Sequence, residues 1–408
     1  MTVVKGKIPG GQFAEIHLEN GHIARIVRVQ SGRSDRRSWD EEVRIAPGFI
    51  DIQVNGFAGV DFNQPEFRGD DLIDVCTNIL KTGVTVFCPT LITADFARLA
   101  RNIAEISKAC GKHPLVRAMV LGIHLEGPYI NPADGPRGAH PVRHVSRPDW
   151  DEFERLIKPG QGLVRMVTVA PEIPGALTFI QKASQSGLAV GIGHCAPEPE
   201  IIDQAVCAGA RISTHLGNGA HQLLDRHKNY LQKQLAHDGL MASIICDGFH
   251  LPDYFVKNVV RAKGKSRVIL ITDATAASNA PAGRYSLGDL QVEADEDGVL
   301  RLPGTPYLAG ATLTMEKAIG NCAESAGITL ASAINMATVN PAVLFGGSGG
   351  GLEPGRRADL VLYRAKGKKI HVLRVYLAGR LLYSAEENLY PNPDEPDPNR
   401  SLTKAQRR

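Results

Sequence analysis

The feature that most constrains the fold of this chain is a unit that recurs eight times between residues 49 and 275. Each unit begins with a short, nearly continuous apolar run and breaks at Gly, Pro or Asn; several then continue into helically spaced segments. Runs that are apolar on both faces are typical of parallel strands covered on both sides. Eight such strands alternating with helices predict an α/β fold, a (β/α)8 barrel of the TIM type. The runs are FIDIQVNG (49–56), TVFCPTLI (85–92), VLGIHLEGPYI (120–130), RMVTVAPE (165–172), AVGIGHCA (189–196), RISTHLGNG (211–219), ASIICDGF (242–249) and VILITDAT (268–275).

The structural alternative is an open, doubly wound sheet, which would show the same alternation of strand and helix. Its dinucleotide-binding form carries a G-x-G-x-x-G motif after the first strand. No such motif follows the first run here, which disfavours that form.

The segments on either side of the barrel have a different pattern. Residues 1–47 and 348–385 alternate apolar and polar positions around Gly and Asn turns, as antiparallel strands do. We expect them to pair into one small β-sandwich domain beside a barrel formed by 48–347. Residues 282–307 are expected to form a β-hairpin insert, and the polar, Pro-rich tail 386–408 to be loosely ordered.

Composition excludes several classes of function. The net charge is +3 without a long basic block, so no nucleic-acid partner is expected. No apolar run reaches the roughly 18 residues of a membrane span, and the N-terminus lacks a signal-peptide core, so no membrane association is expected. The seven cysteines are scattered and odd in number, with no C-x-x-C pair. We therefore expect free thiols in a reducing cytoplasm.

Ligand-type side chains stand where the predicted strands end. They are His124 and Glu126, His194, His215, Asp247 and His250, and Asp273, with Asp51, Gln53 and Asn55 on the first strand. A single histidine in such a run is more often a hydrogen-bonded core residue, and an Asp there is often a helix cap. Together, however, they would meet at the carboxyl end of the barrel, where the active sites of such barrels lie.

Two imidazoles and one carboxylate suit a divalent metal such as zinc. Glu126, His194 and His215 are the predicted ligands, which leaves an open coordination position for water. We expect Asp273 to stay unligated and to carry the proton between water and the leaving group.

Seven motifs in order along the chain resemble those of the N-acetylglucosamine-6-phosphate deacetylase family in the amidohydrolase superfamily. The resemblance covers about residues 45–380 and includes an ending, LEPGRRADLVLY (352–363), that is common in amidohydrolases. The motifs are PGFIDIQVNG (47–56), HLEGPYI (124–130), GHCAP (193–197), THLGNGA (214–220), DGFHLP (247–252), ITDATAA (271–277) and NPAVLFG (340–346).

The resemblance implies roles for individual residues. Glu126, His194 and His215 match the metal ligands of the family, and Asp273 matches its catalytic acid/base. His250 matches a residue that contacts the substrate and polarises the acetyl carbonyl. The implied substrate contacts are Ala139, His140, Asn218, Gly219, Arg226 and Leu308, with Asn218, Gly219 and Arg226 on the sugar phosphate. The family also implies a homodimer in which the neighbouring subunit completes the phosphate pocket.

Two departures from the usual pattern stand out. Most amidohydrolases carry His-x-His on the first strand, whereas this chain has Asp51-Ile52-Gln53. We therefore expect one metal ion per subunit, zinc in the first place, with iron, manganese or cobalt as alternatives. The loop GAHQLLDRHKNY (219–230) also differs from that of the family. Its sequence suggests a helix beginning next to Asn218, whose first N–H groups would face an anion.

The predicted function is a metal-dependent deacetylase that hydrolyses the N-acetyl group of an amino-sugar phosphate, in the first place N-acetylglucosamine 6-phosphate. One alternative is a related N-acyl hydrolase acting on N-acetylgalactosamine 6-phosphate, an unphosphorylated amino sugar or an acylated amino acid. A second is a non-catalytic, metal-containing binding module, which would have no use for a carboxylate such as Asp273 beside the metal.

Overall fold

The computed structural model describes residues 2–29, 42–305, 307–347 and 350–385. The predicted tail 386–408 lies outside the described residues. The described strands are β1 (Thr2–Lys7), β2 (Phe13–Glu19), β3 (His22–Arg28), β4 (Arg44–Pro47), β5 (Phe49–Val54), β6 (Gly56–Phe57), β7 (Val60–Asp61), β8 (Val84–Ile92), β9 (Ile123–Glu126), β10 (Val164–Val169), β11 (Ala189–Ile192), β12 (Ile212–Ser213), β13 (Met241–Ile245), β14 (Val268–Ile271), β15 (Gly283–Leu287), β16 (Leu290–Ala294), β17 (Leu300–Arg301), β18 (Leu360–Lys366), β19 (Lys369–Leu377) and β20 (Arg380–Ser384).

Eight of these strands form the predicted barrel. The hydrogen-bonded order is β5, β8, β9, β10, β11, β12, β13 and β14, and every neighbouring pair is parallel. A parallel bridge between Val54 and Ala274 links the first strand to the last. Each of the eight predicted apolar runs contains or overlaps one of these strands. The (β/α)8 prediction is therefore confirmed.

Helices cover the outside of the barrel. Side chains cap several of their first turns: Asp95 accepts a hydrogen bond from the Arg98 amide, and Asn229 accepts one from the Gln232 amide. The helices are α1 (Leu72–Leu80), α2 (Phe96–Lys112), α3 (Pro114–Met119), α4 (Trp150–Ile157), α5 (Ala176–Gln185), α6 (Pro199–Ala208), α7 (Tyr230–Ala236), α8 (Asp253–Lys263), α9 (Met315–Ser325), α10 (Leu330–Met336) and α11 (Val339–Leu344), with short 3-10 turns at Gly69–Asp71, Val142–His144 and Lys158–Gly160.

The two ends of the chain meet in a small β domain, as predicted. Its strands form one seven-stranded sheet in the order β20, β19, β18, β4, β1, β2, β3. Strand β4 joins the two halves, because it pairs in parallel with β1 and antiparallel with β18. The sheet has an apolar core of its own that includes Val4, Ile16 and Leu360. The domain boundaries drawn from the sequence stay a prediction.

Strands β15, β16 and β17 form a three-stranded antiparallel sheet after the last barrel strand. Its first turn is fixed to the barrel: the Gly288 amide donates to Asp61 Oδ2 at 2.7 Å, and Arg98 Nη1 donates to Asp289 Oδ1 at 2.5 Å. Arg143 donates to the other oxygen of the Asp289 carboxylate. These contacts hold the insert at the carboxyl end of the barrel.

Candidate functional site

Four buried side chains stand where barrel strands end. Glu126 is the last residue of β9, while His194, His215 and Asp273 each lie two residues beyond β11, β12 and β14. Those three residues have left-handed φ angles of 50°, 32° and 51°. Such angles cost a non-glycine residue about 1–3 kcal/mol and cluster at functional sites. The repeated conformation therefore marks the carboxyl end of the barrel as the candidate site.

The three predicted metal ligands are in mutual contact. Oε1 of Glu126 lies 2.8 Å from Nε2 of His215 and 3.3 Å from Nε2 of His194. The two Nε2 atoms lie 3.1 Å apart, and the imidazole rings are nearly perpendicular, at 85°. His194 and His215 lie 68 and 89 positions after Glu126 in the chain, yet one ligand atom of each of the three residues faces the same place.

The hydrogen bonds of this cluster fit a cation. Nδ1 of His194 donates to the carbonyl of Pro136 at 2.9 Å, which orients the ring so that Nε2 faces Glu126. A cation bound at this place could be coordinated by both the imidazole nitrogen and the carboxylate oxygen. Burial alone would raise the pKa of Glu126, but the hydrogen bonds and charges of His194 and His215 hold it well below its ordinary value. A buried carboxylate and two imidazoles form a donor set that suits zinc.

His140 lies beside this cluster, whereas the family resemblance implies only a substrate contact for it. Ligand atoms of Glu126, His140 and His194 all lie within 4.8 Å of one another, and the rings of His140 and His194 are 4.3 Å apart. Nδ1 of His140 is within hydrogen-bond distance of Thr93 Oγ1, at 2.8 Å. The sequence assigned His140 only a substrate contact, because it lies in a loop and no strand-end pattern marks it as a ligand.

Asp273 is held beside the cluster by two side-chain amides, one on the first barrel strand and one directly after its end. Its Oδ1 accepts hydrogen bonds from Asn55 Nδ2 at 2.7 Å and from Gln53 Nε2 at 3.1 Å. Gln53 Nε2 also donates to Glu126 Oε1 at 2.9 Å, so one amide group bridges two carboxylates. Burial, followed by the charge of Glu126, raises the pKa of Asp273 to about 6. Both amides are visible at the strand end in the sequence, but no local pattern indicates that they bond Asp273.

His250 is oriented by a neighbouring carboxylate. Its Nδ1 lies 2.6 Å from Oδ2 of Asp247, whose Oδ1 accepts hydrogen bonds from the Phe249 and His250 amides. Burial raises the pKa of Asp247, but the hydrogen bond and charge of His250 outweigh it, so the pKa is lowered. The contact occupies Nδ1 and leaves Nε2 of His250 for a ligand.

The cluster of Glu126, His194 and His215 lines a cavity of about 840 Å³ together with Asp273 and Asn55. Among the predicted substrate contacts, Ala139, His140, Asn218, Gly219, His250 and Leu308 line it. Arg226 is exposed and is not part of the lining. The insert contributes apolar side chains to the lining, Leu287 and Leu302.

The loop after His215 differs from the expectation. The helix expected to begin next to Asn218 begins only at Tyr230, because Asp225 instead accepts the amides of His227 and Lys228 in a turn. Nδ2 of Asn218 is buried and has no hydrogen-bond partner among the described residues. An orphaned amide at a cavity wall is suited to a ligand.

Gly219 is required where it is. Its φ is +56°, and a Cβ there would lie 2.8 Å from Nδ1 of His194. A side chain would therefore displace an imidazole of the cluster.

Comparisons with known proteins agree with this geometry. The model of the amidohydrolase family matches residues 44–382. A Bos taurus N-acetylglucosamine-6-phosphate deacetylase is 35% identical over 371 residues, which cover 86% of this chain and 88% of the relative. An Escherichia coli O157:H7 N-acetylgalactosamine-6-phosphate deacetylase is 33% identical over 373 residues, with coverages of 90% and 94%.

Solved structures show the same likeness. A mutant N-acetyl-D-glucosamine-6-phosphate deacetylase from Mycobacterium smegmatis, in complex with N-acetyl-D-glucosamine-6-phosphate, superposes with a TM-score of 0.83 at 27% identity, covering 93% of this chain and 98% of its own. The N-acetylglucosamine-6-phosphate deacetylase of Thermotoga maritima gives 0.82 at 26%, with coverages of 94% and 100%.

Proposed function

Since the chain belongs to the amidohydrolase family, in its N-acetylglucosamine-6-phosphate deacetylase branch, we propose that it hydrolyses the N-acetyl group of N-acetylglucosamine 6-phosphate. The products are the free amino-sugar phosphate and acetate. The observation that carries the proposal is the convergence of Glu126, His194 and His215 on one point, with Asp273 alongside, in the wall of the cavity. A non-catalytic binding module would not need the fourth residue.

Glu126, His194 and His215 would hold one divalent ion per subunit. When bound, the ion supplies Lewis-acid activation of water and of the acyl carbonyl. Two nitrogen ligands and one oxygen ligand favour zinc, with iron, manganese and cobalt as the alternatives. The position of Gln53 supports a single ion. Its amide nitrogen donates to both Glu126 and Asp273, the carboxylates that a second ion would need as ligands.

Asp273 would move the proton. Its Oδ1 is occupied by two amide donors, so Oδ2 is the oxygen that takes a proton from the attacking water. The same oxygen then delivers the proton to the departing nitrogen, without which an amine leaves very poorly. Burial and the charge of Glu126 favour the protonated form of Asp273, which makes the carboxylate more basic, while it stays ionised near neutral pH.

His250 would contact the acyl oxygen through Nε2, because Asp247 fixes its ring through Nδ1. Asn218 Nδ2, which is otherwise orphaned, and the backbone at Gly219 would bind the phosphorylated end of the sugar. Ala139, His140 and Leu308 line the same cavity and would contact the rest of the substrate.

Arg226 would act across a homodimer. It is exposed on the loop that follows His215 and does not line the cavity of its own subunit. The same loop carries Leu223, which is 92% exposed and would be covered by a second subunit. In this arrangement each Arg226 binds the substrate phosphate in the neighbouring subunit.

The cellular location would be the cytoplasm. All seven cysteines are free thiols, and six of them are buried, which supports a reducing compartment. Separately, no helix in the described part of the chain is long and apolar enough to cross a membrane.

The decisive experiment is a deacetylation screen with metal content measured on the same protein batch. We expect N-acetylglucosamine 6-phosphate to be hydrolysed fastest, by protein carrying about one ion per subunit, as expected for a catalytic site with three protein ligands. N-acetylgalactosamine 6-phosphate is the second candidate, because the Escherichia coli relative bears that name. Activity only on unphosphorylated sugars or acylated amino acids, or none in metal-replete protein, would overturn the proposal.

A further inference from the structure

Asp51 is a fully buried carboxylate on the first barrel strand, and it has no place in the chemistry described so far. Its Oδ2 accepts a hydrogen bond of 2.5 Å from Oγ1 of Thr272, and its Oδ1 accepts longer ones, of 3.3 Å each, from the Thr272 and Gln53 amides. A carboxylate in a protein interior is costly unless such donors surround it. Two of the three donors belong to the residue that precedes Asp273.

Thr272 also contacts the residue that follows Asp273. Its Oγ1 accepts a hydrogen bond of 3.1 Å from the Ala274 amide. The Asp273 amide itself donates to the carbonyl of Gln53 at 3.1 Å. The left-handed turn at Asp273, with a φ of 51°, is therefore fixed at the residue before it, at the residue after it and at its own amide.

The same strand holds both the backbone and the side chain of Asp273. Asp51 and Gln53 lie on the first barrel strand, and Asn55 follows directly after its last residue. Gln53 and Asn55 donate hydrogen bonds to Oδ1 of Asp273. Asp51 accepts a hydrogen bond from Thr272, the residue before Asp273 in the chain. A carboxylate with only a packing role would have no reason to be directed at this turn, since an apolar residue fills an interior at no desolvation cost.

We propose that Asp51 is a positioning residue that acts through Thr272 to hold Asp273 in the geometry for proton transfer. This role rests on the proposed function, because it presupposes that Asp273 carries the proton. Reacting groups tolerate little displacement, and a misplacement of about 1 Å can cost about a hundredfold in rate. Loss of the Asp51–Thr272 contact should therefore lower kcat while it leaves substrate affinity and metal content alone.

The test compares Thr272→Val, Thr272→Ser and Asp51→Asn in the full-length, metal-loaded protein. Valine keeps the shape of threonine but loses the hydroxyl, whereas serine keeps the hydroxyl. We expect Thr272→Val and Asp51→Asn to lower kcat on N-acetylglucosamine 6-phosphate by about 10- to 100-fold with KM and metal content unchanged. Thr272→Ser should stay close to wild type.

Thr338→Val is the matched control. Thr338 is also fully buried, and its Oγ1 donates to the Ile334 carbonyl at 2.9 Å, away from the site. That variant should lose some thermal stability and keep kcat. Comparison of Thr272→Val with Thr338→Val separates the general effect of losing a buried hydrogen bond from the specific effect of losing the bond to Asp51.

Three results would overturn the role of Asp51. They are a wild-type kcat in Thr272→Val, equal impairment of the serine and valine variants, and a loss of bound metal in parallel with activity. If wild-type protein deacetylates the substrate and the variants do so equally well, only this role fails. If wild-type protein has no deacetylase activity, the proposed function and this role fail together.

Discussion

The Nε2 atoms of His194 and His215 lie 3.1 Å apart, and both face the same oxygen of Glu126. The carbonyl of Pro136 accepts a hydrogen bond from Nδ1 of His194, which leaves Nε2 to face the cluster. Electron-rich atoms this close are stabilised by a cation between them, and that requirement makes metal binding directly testable.

Removal of the metal should destabilise the wild-type protein. At a free metal concentration 100 times Kd, binding to the folded state adds about 2.7 kcal/mol, so a chelator should lower Tm. His215→Ala should already have lost most of its metal and should show little further shift. His227→Ala, which changes an exposed histidine, is the control and should respond like wild type. Equal chelator shifts in wild type and His215→Ala would contradict the assignment of His215.

Asp273→Asn should separate catalysis from metal binding. Asparagine keeps an Oδ1 that can accept from Asn55 and Gln53, but it cannot take a proton from water. Turnover should fall by about 10²–10⁴-fold, the usual contribution of a positioned acid/base, while metal content stays near normal. Steady-state kinetics and metal analysis on one preparation check both parts, and unchanged turnover would remove Asp273 from its role.

The pH dependence of kcat/KM should show an acid limb set by Asp273. The general base must be ionised, so activity is present above its pKa and falls about tenfold per pH unit below it. Burial and the charge of Glu126 raise that pKa to about 6, whereas a bound cation would lower it again. We therefore expect the limb at or below about pH 6. A pH–rate profile that starts to fall well above pH 7 would assign the limb to another group.

Much of this fold could be read from the sequence, because the relevant signals are local. The period of the apolar runs fixed the barrel strands, and residues at strand ends such as Glu126 and His194 converge in any such barrel. The family resemblance is confirmed by the amidohydrolase model over residues 44–382.

What the sequence did not reveal depends on contacts between distant segments. The approach of His140 to the cluster is made by a loop that bears no periodic pattern. The bridge from Gln53 to Glu126 and Asp273 exists because the first strand lies beside the eighth in the barrel, and only the second strand separates it from the third. The prediction of a helix that begins next to Asn218 was wrong. Asp225 accepts a backbone hydrogen bond in a turn there, and the helix begins only at Tyr230.

The insert should control substrate affinity through its attachment to the barrel. Asp289, at the turn between β15 and β16, is bonded by Arg98 and Arg143, and the adjacent Leu287 lines the cavity. Asp289→Ala removes both ion pairs, so the wall should become more mobile and KM should rise more than kcat falls. Hydrogen exchange over 283–301 should accelerate. Glu296→Ala, at the exposed turn between β16 and β17, is the control and should leave both measurements unchanged.

Arg226→Ala should weaken the binding of phosphorylated substrate alone. A charge-assisted hydrogen bond contributes about 1.5–3 kcal/mol, so KM for N-acetylglucosamine 6-phosphate should rise about 10- to 100-fold. KM for N-acetylglucosamine should not change. Lys228→Ala removes a neighbouring exposed cation that pairs with Glu198, and it controls for a general loss of positive charge. Equal losses on both sugars would count against a phosphate contact.

Mixing subunits decides which active site Arg226 serves. Combine Arg226→Ala subunits with Asp273→Asn subunits and allow them to exchange. If Arg226 acts in the neighbouring subunit, every mixed dimer contains one site with both an intact Asp273 and an intact Arg226, and low-KM activity returns. If Arg226 acts in its own subunit, each site keeps one defect and mixing restores nothing. Because Arg226 does not line the cavity of its own subunit, we expect activity to return.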